Sequence, residues 1–163
     1  MKKVSKNNYA FIDSQNLHLG VKSLGWSLDF NRFRIYLREK YEVTTAYLFI
    51  GYLPGKESFY EKLESFNYII KHKPTLMGAS GKIKGNCDAE LVLQSMIDIS
   101  KYDKAVIVTS DGDFHCLIEY LYKENKLECL LSPTVKECSV LLRRAGKEKV
   151  YYLDKLKQKL QRR

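Results

Sequence analysis

Residues 104–114 read KAVIVTSDGDF, an apolar run that ends on two hydroxyl side chains and is followed by two aspartates with one glycine between them. The run is apolar enough to form a central strand, buried on both faces of a sheet. Asp111 and Asp113 then follow at the carboxyl end of that strand. Taken alone, the stretch also fits a simple strand-to-helix turn, in which Asp113 caps the following helix.

Short apolar runs alternate with longer amphipathic stretches along the whole chain, and this pattern predicts parallel strands joined by helical crossovers. Residues 77–85, with three glycines and two lysines, predict a basic loop or hairpin tip. With 163 residues and 45% hydrophobic content, the chain suits one domain, 1–163. The predicted fold class is α/β, a three-layer α/β/α sandwich around a mainly parallel sheet. The predicted strands are 9–13, 43–53, 68–76, 104–110, 127–133 and 149–153, and the predicted helices are 15–25, 29–41, 56–67, 88–100, 114–125, 135–146 and 154–163.

The composition of the chain indicates what kind of partner the protein binds and in which compartment it is found. The 28 basic and 19 acidic residues give a net charge of +9, which favours a polyanion such as RNA over an anionic membrane. Residues 154–163 predict a basic C-terminal helix, either a solvated face or a substrate-binding element. No apolar run approaches the roughly 20 residues of a membrane helix. The four cysteines form no Cys-x-x-Cys pair. A soluble, cytoplasmic protein with reduced cysteines is therefore expected.

Carboxylates follow two of the predicted strands at the edge where open parallel sheets bind their ligands. Asp13 ends the first strand, Asp111 and Asp113 follow the central one, and Asp88 begins a helix that starts at the same edge. Four carboxylates in one place repel one another unless a cation lies between them, and oxygen ligands alone favour Mg²⁺ or Mn²⁺. One or two ions fit, and the chemistry predicted is metal-dependent phosphodiester hydrolysis. Asp88 could equally serve only as a helix cap.

Individual residues exclude two other classes of phosphate-binding protein. GASGK (78–82) lacks the phosphate-loop pattern, because Leu76 stands where a glycine is required and Ile83 where Ser or Thr is required. A haloacid-dehalogenase-type phosphatase requires a second Asp two residues after Asp13, where Gln15 stands. Neither class is predicted.

Three stretches together resemble the NYN domain family, also called LabA-like or DUF88, of the PIN-like nuclease superfamily. They are YAFIDSQNL (9–17), KGNCDAELVLQSMID (84–98) and AVIVTSDGDF (105–114), and with the closing segment the resemblance covers about the whole chain. It implies a PIN-like, Rossmann-like sandwich and a Mg²⁺- or Mn²⁺-dependent ribonuclease activity. By matching position it implies acidic ligands at Asp13, Asp88, Asp111 and Asp113, support from Asn16, Thr109 and Ser110, and phosphate contacts from Lys82 and Lys84.

The leading hypothesis is a ribonuclease acting on single-stranded or structured RNA, with metal-activated water as nucleophile and the 3′ oxygen as leaving group. The alternative is a non-catalytic RNA-binding or adaptor domain with the same fold. Gln94 supports the alternative, because many relatives carry an acidic residue six positions after the Asp88 position. Homo-oligomers are common among PIN-like domains, but no stretch of this sequence identifies an interface.

Overall fold

The central sheet is all-parallel and has six strands. The computed structural model describes residues 2–74, 76–77, 83–84 and 86–163, and at 76, 77, 83 and 84 it describes the backbone. The strands in these residues are β1 (Asn8–Asp13), β2 (Val43–Gly51), β3 (Tyr68–Lys73), β4 (Leu76–Met77), β5 (Ile83–Lys84), β6 (Ala105–Val108), β7 (Leu127–Ser132) and β8 (Val150–Tyr152). The spatial order in the sheet is β3-β2-β1-β6-β7-β8, and β4 pairs with β5 as a separate antiparallel hairpin.

Seven α-helices connect or flank these strands in the described ranges, and they confirm the predicted alternation. Asp29 caps the second helix, because its side chain accepts a hydrogen bond from the backbone N–H of Arg32. The helices are α1 (Ser14–Ser23), α2 (Phe30–Tyr41), α3 (Glu57–Ser65), α4 (Asp88–Ile97), α5 (His115–Lys123), α6 (Val140–Gly146) and α7 (Lys157–Leu160).

Two apolar layers enclose the sheet, so the predicted three-layer α/β/α sandwich is confirmed. Successive side chains of β1 alternate between them: Ile12 belongs to the layer under α1, α2, α3 and α7, whereas Phe11 belongs to the layer under α4, α5 and α6. This alternation is the two-residue period of a strand buried on both faces. Among the described residues, no helix combines the length and apolar character needed to cross a bilayer.

The C-terminal segment differs from the predicted helix over 154–163. It forms a 3-10 turn over Asp154–Leu156 and the four-residue helix α7, and the helix ends at Leu160. Beyond it, Gln161 pairs in an antiparallel bridge with Leu28. The Leu160 side chain is fully buried in the core. Burial of Leu160 therefore makes this segment part of the folded domain rather than a separate basic helix.

The predicted helix over 135–146 begins later than expected. Residues 135–137 form a turn, and α6 starts at Val140, where the Ser139 side chain accepts a hydrogen bond from the backbone N–H of Leu141. A serine cap is a strong helix start, and it outweighs the apolar periodicity that extends upstream. The predicted strand over 68–76 is likewise shorter, since β3 ends at Lys73 and Leu76 belongs to the hairpin. The tip of that hairpin, 78–82, lies outside the described residues.

The strand order reverses between β1 and β6. From β1 the chain builds outward through β2 to β3, crosses back on the other face through α4, and then builds outward again through β7 to β8. In open α/β sheets the crevice outside the carboxyl ends of the strands at this reversal is the usual ligand site. Ile12 of β1 pairs with Val108 of β6, so the residues that follow these two strands, Asp13 and Thr109, lie side by side at the crevice.

Candidate functional site

Asp13 is held at the carboxyl end of β1 by two donors. Its Oδ1 accepts a hydrogen bond from the backbone N–H of Asn16 at 3.3 Å, which caps α1. Its Oδ2 accepts from the Thr109 hydroxyl at 3.2 Å. Because Thr109 is fully buried, the contact fixes the Asp13 carboxylate relative to β6.

Asn16 ties the ends of the same two strands together. Its side-chain oxygen accepts from both the backbone N–H and the hydroxyl of Ser110, at 2.8 and 2.9 Å. The backbone of Asn16 therefore orients Asp13, while its side chain holds the segment that leads to Asp111. Both contacts span 94 residues of sequence, and they close the crevice between β1 and β6 from one side.

Asp111 closes the turn that follows β6. Its backbone N–H donates to the Thr109 hydroxyl at 3.1 Å, and its Oδ1 accepts from the backbone N–H of Asp113 at 2.9 Å. The 3-10 turn over Gly112–Phe114 is thus capped by Asp111, and Asp113 is not the cap considered from the sequence. A Cβ atom at Gly112 would lie 2.5 Å from the Ser139 hydroxyl, so the turn packs tightly against the start of α6.

Asp88 begins α4, but its side chain does not cap the helix. The N-cap residue is Cys87, and Asn86 before it orients Asp88: Asn86 Oδ1 accepts from the backbone N–H of Asp88 at 2.8 Å, and its Nδ2 donates to Asp88 Oδ2 at 3.2 Å. Lys73, at the end of β3, donates to the backbone carbonyl of Asn86 at 2.7 Å and lies 3.8 Å from Glu90. Lys73 and Asn86 were not predicted. Lys73 is the last residue of β3, but the strand predicted over 68–76 placed the strand end three residues later.

The four predicted aspartates converge at this edge. Carboxylate oxygens of Asp88, Asp111 and Asp113 lie within 4.8 Å of one another. Asp13, Asp88 and Asp111 line one cleft of about 180 Å³. The donor set is all oxygen and lies within the reach of one or two hard cations, so the residues present fit Mg²⁺ or Mn²⁺. Of the predicted substrate contacts, Lys82 and the Lys84 side chain lie outside the described residues.

Burial and mutual repulsion raise the pKa of two of these carboxyl groups. For Asp13, burial is the largest cause, the hydrogen bonds from Asn16 and Thr109 oppose it, and the charges of Asp88 and Asp111 add to it. The resulting pKa of Asp13 is about 6. Such a group releases its proton readily when a cation binds beside it, because the cation removes the electrostatic penalty of ionisation.

The pKa of Asp88 is also raised, but by a different combination of effects. Burial raises its pKa, the hydrogen bond from Asn86 lowers it, the charges of Asp111 and Asp113 raise it, and Lys73 lowers it. The net pKa lies above the ordinary value for an aspartate. Asp88 therefore lies between the other aspartates and Lys73 at the end of β3.

Gln94 is not among the residues that line the acidic cleft. Its side-chain amide donates to Asp98 Oδ2 at 2.9 Å, at the opposite end of α4 from Asp88. Six residues separate Gln94 from Asp88, which is about 9 Å along the helix axis and about 240° around it, so the two side chains do not face each other. The glutamine at this position therefore takes no carboxylate away from the acidic cleft.

The fold and the cleft define a class of protein: a doubly wound α/β domain with an acidic crevice at its switch point. Comparison with known proteins gives the family. The chain belongs to the NYN domain family, whose model matches residues 9–154, and this family is grouped with the PIN-like nucleases.

One relative is similar in sequence, and one solved structure is similar in fold. The chain is similar to the low amplitude and bright protein LabA of Synechococcus elongatus, with 28% identity over 121 residues; the match covers 68% of this chain and 65% of LabA. A crystal structure of a protein of unknown function from Vibrio parahaemolyticus has the same fold. Its TM-score is 0.76 at 22% identity, and the alignment covers 95% of this chain and 98% of that one.

Proposed function

We propose that this protein is a ribonuclease that hydrolyses RNA phosphodiester bonds with Mg²⁺ or Mn²⁺. The observation that supports this most is the convergence of Asp13, Asp88 and Asp111 in one cleft at the switch point of the sheet, with Asp113 beside it. The chain has a net charge of +9 even with the acidic residues of this cleft included, and this excess of positive charge suits a polyanionic substrate.

Side chains in the cleft are held in place by one another, and they supply the negative charge that would bind the metal. Asp13 and Asp111 share the Thr109 hydroxyl, which fixes their relative placement before substrate arrives. With Asp88 they would hold the metal, and the exposed Asp113 would contact it through water. A bound divalent cation polarises the scissile phosphate and stabilises the charge that develops on the leaving oxygen.

Cationic residues around the cleft would bind the substrate phosphates. Lys73 reaches the Asn86–Asp88 segment from β3, so its ammonium group lies beside the proposed metal ligands. Lys82 and Lys84 are proposed as further phosphate contacts. In the reaction, water adds to phosphorus, the P–O3′ bond breaks, and the proton lost by the water passes to the 3′ oxygen.

RNA cleavage by three variants tests the proposal. Asp13→Asn and Asp111→Asn should each slow cleavage in Mn²⁺ or Mg²⁺ by about 100-fold or more, equivalent to about 2.7 kcal/mol of transition-state stabilisation. Glu61→Gln, an exposed carboxylate on α3, is the matched control and should cleave as the wild type does. Aspartate variants that cleave at the wild-type rate would assign the activity to a contaminant or another site.

RNA binding without cleavage is the competing outcome, and metal binding separates the two. Mn²⁺ at ten times its dissociation constant should stabilise the wild type by about 1.4 kcal/mol, and Asp111→Asn should abolish this thermal shift. Salt-sensitive RNA binding that survives loss of the carboxylates, with no cleavage in either ion, would establish the non-catalytic domain instead.

A further inference from the structure

A second and larger groove lies between α5 and α6. Its volume is about 460 Å³, compared with about 180 Å³ for the acidic cleft. Both helices start at the carboxyl edge of the sheet, where the aspartates are, and run toward the opposite edge. The groove therefore leads away from the acidic cleft along the surface of the α4–α6 layer.

Cations line the groove at its far end. Lys123 of α5, Arg144 of α6 and Lys147 just after α6 all line it and are exposed, and Glu119 is the acidic residue among its lining side chains. Three positive charges against one negative charge favour an anionic occupant.

Aromatic and apolar surface accompanies these charges. The Nζ atom of Lys147 lies 4.8 Å, and that of Lys149 5.5 Å, from the ring centroid of Tyr122, whose hydroxyl donates to Glu148 at 2.9 Å. Leu141, on the facing wall, is 48% exposed. A ring with cations around it, opposite an alkyl side chain, suits unpaired bases and their phosphates, because bases stack on aromatic rings while the backbone pairs with Lys and Arg.

The groove is joined to the acidic cleft through one turn. His115, at its near end, donates from Nδ1 to the backbone carbonyl of Gly112 at 3.0 Å, and Gly112 lies between the two aspartates of the turn. The backbone N–H of Ser139, next to the start of α6, donates to the carbonyl of Ser110 at 3.2 Å. A three-residue 3-10 turn rises about 6 Å, so a strand leaving the acidic cleft reaches the groove across this turn.

We propose that the α5–α6 groove binds the single-stranded RNA segment adjacent to the scissile phosphate, with Lys123, Arg144 and Lys147 on its phosphates and Tyr122 stacked on a base. The proposal rests on the proposed function for the assignment of RNA as the ligand. It adds the path of the strand, and it predicts a preference for unpaired RNA, because the bases of a duplex are not available to Tyr122.

Equilibrium binding of a short fluorescein-labelled oligouridylate, measured by anisotropy in EDTA so that no cleavage occurs, tests the groove. The double variant Lys123→Glu/Arg144→Glu should weaken binding at least about tenfold and should lower the slope of log K against log salt by about 1.4, since each phosphate contact contributes about 0.7. The control is Arg38→Glu/Lys40→Glu, which makes the same charge change on exposed residues of α2 in the opposite layer. It should retain most of the affinity.

A second pair of variants tests stacking. Tyr122→Ala should weaken binding about fivefold or more, whereas Tyr122→Phe, which keeps the ring and loses the bond to Glu148, should bind as the wild type does. If the Lys123/Arg144 and Arg38/Lys40 double variants weaken RNA binding equally, the effect is one of overall charge and the groove proposal is wrong. The proposal is also wrong if the wild type binds a duplex of the same length as tightly as the single strand.

The experiments distinguish a failure of the groove proposal from a failure of the ribonuclease proposal. If the aspartate variants lose cleavage while the Lys123/Arg144 variant binds and cleaves as the wild type does, the groove assignment is wrong and the activity stands. If the Lys123/Arg144 variant alone loses RNA binding but no form of the protein cleaves RNA in Mn²⁺ or Mg²⁺, the groove stands and the ribonuclease proposal is wrong.

Discussion

Helix α4 carries an aspartate at each end, and the two carboxyl groups have opposite pKa shifts. Asp98, the residue that ends the helix, is only 1% exposed, and burial by itself raises its pKa. Hydrogen bonds from Gln94 and Tyr47, at 2.9 and 2.8 Å, outweigh that effect, together with an ion pair to Lys101 at 3.1 Å. The net pKa of Asp98 is below its ordinary value.

Asp88, at the other end, has a raised pKa, chiefly because of burial and further because the charged Asp111 and Asp113 lie near it. The same holds for Asp13, whose pKa is about 6. Hydrogen bonds to Asp98 outweigh its burial, whereas those to Asp13 and Asp88 do not outweigh burial and the charges of the neighbouring carboxylates, which a bound cation would neutralise. The acidic cleft therefore carries an electrostatic penalty that the Asp98 site does not, and substitutions at the two sites should change stability in opposite directions.

The largest change in stability is expected at Asp98. Asp98→Ala should lower the free energy of unfolding by about 2–4 kcal/mol, because it leaves the Tyr47 hydroxyl and the Gln94 amide buried without their acceptor. Urea unfolding measures this difference. Asp103→Ala, at an exposed aspartate five residues later, should lower it by less than about 1 kcal/mol. A loss at Asp98 no larger than at Asp103 would contradict the structural role of Asp98.

A smaller change of opposite sign is expected at Asp13. In EDTA at pH 8, Asp13→Asn should raise the free energy of unfolding by about 1–3 kcal/mol, because it removes a charge whose folded pKa is raised; each pKa unit corresponds to about 1.4 kcal/mol. Asparagine keeps a side-chain oxygen that can cap α1.

The pH dependence of that gain follows from the direction of the shift. The folded protein binds the Asp13 proton more tightly than the unfolded chain does, with a pKa of about 6 against an ordinary 3.8, so the wild type loses stability as pH rises between these values. The gain in Asp13→Asn should be complete above pH 6 or so and should vanish near pH 4, as followed by unfolding at several pH values. A gain that does not vary with pH would contradict the electrostatic cause.

The smallest change is expected at Tyr47. Tyr47→Phe removes the donor to Asp98 but keeps the ring, whose centroid lies 5.5 Å from that of Phe11 in a stacked arrangement. A loss of about 1 kcal/mol in the free energy of unfolding is expected. Tyr122→Phe, whose hydroxyl bonds an exposed glutamate, should lose less than about 0.5 kcal/mol in the same urea experiment. Similar losses would mean that the Tyr47 hydroxyl is not a buried partner of Asp98.

The amino-acid sequence was enough to predict the alternation of strands and helices and the edge of the sheet at which Asp13 and Asp111 lie. Both follow from local periodicity and from one geometric rule, because the carboxyl ends of parallel strands lie at the same edge of a sheet. The Asp29 cap of α2 was predictable for the same reason, since its partner is only three residues away. These features depend on neighbours in sequence or on a property shared by all parallel sheets.

The hydrogen-bond partners of the carboxylates could not be predicted from the sequence, because they come from elements that are brought together by the fold. Lys73 donates to the Asn86 carbonyl from the edge strand β3, and Tyr47 donates to Asp98 across 51 residues of sequence. The docking of Leu160 likewise depends on which surfaces the crossovers bring together. Periodicity shows which face of an element is buried, but the partner on that face depends on strand order and packing, which the local pattern does not encode.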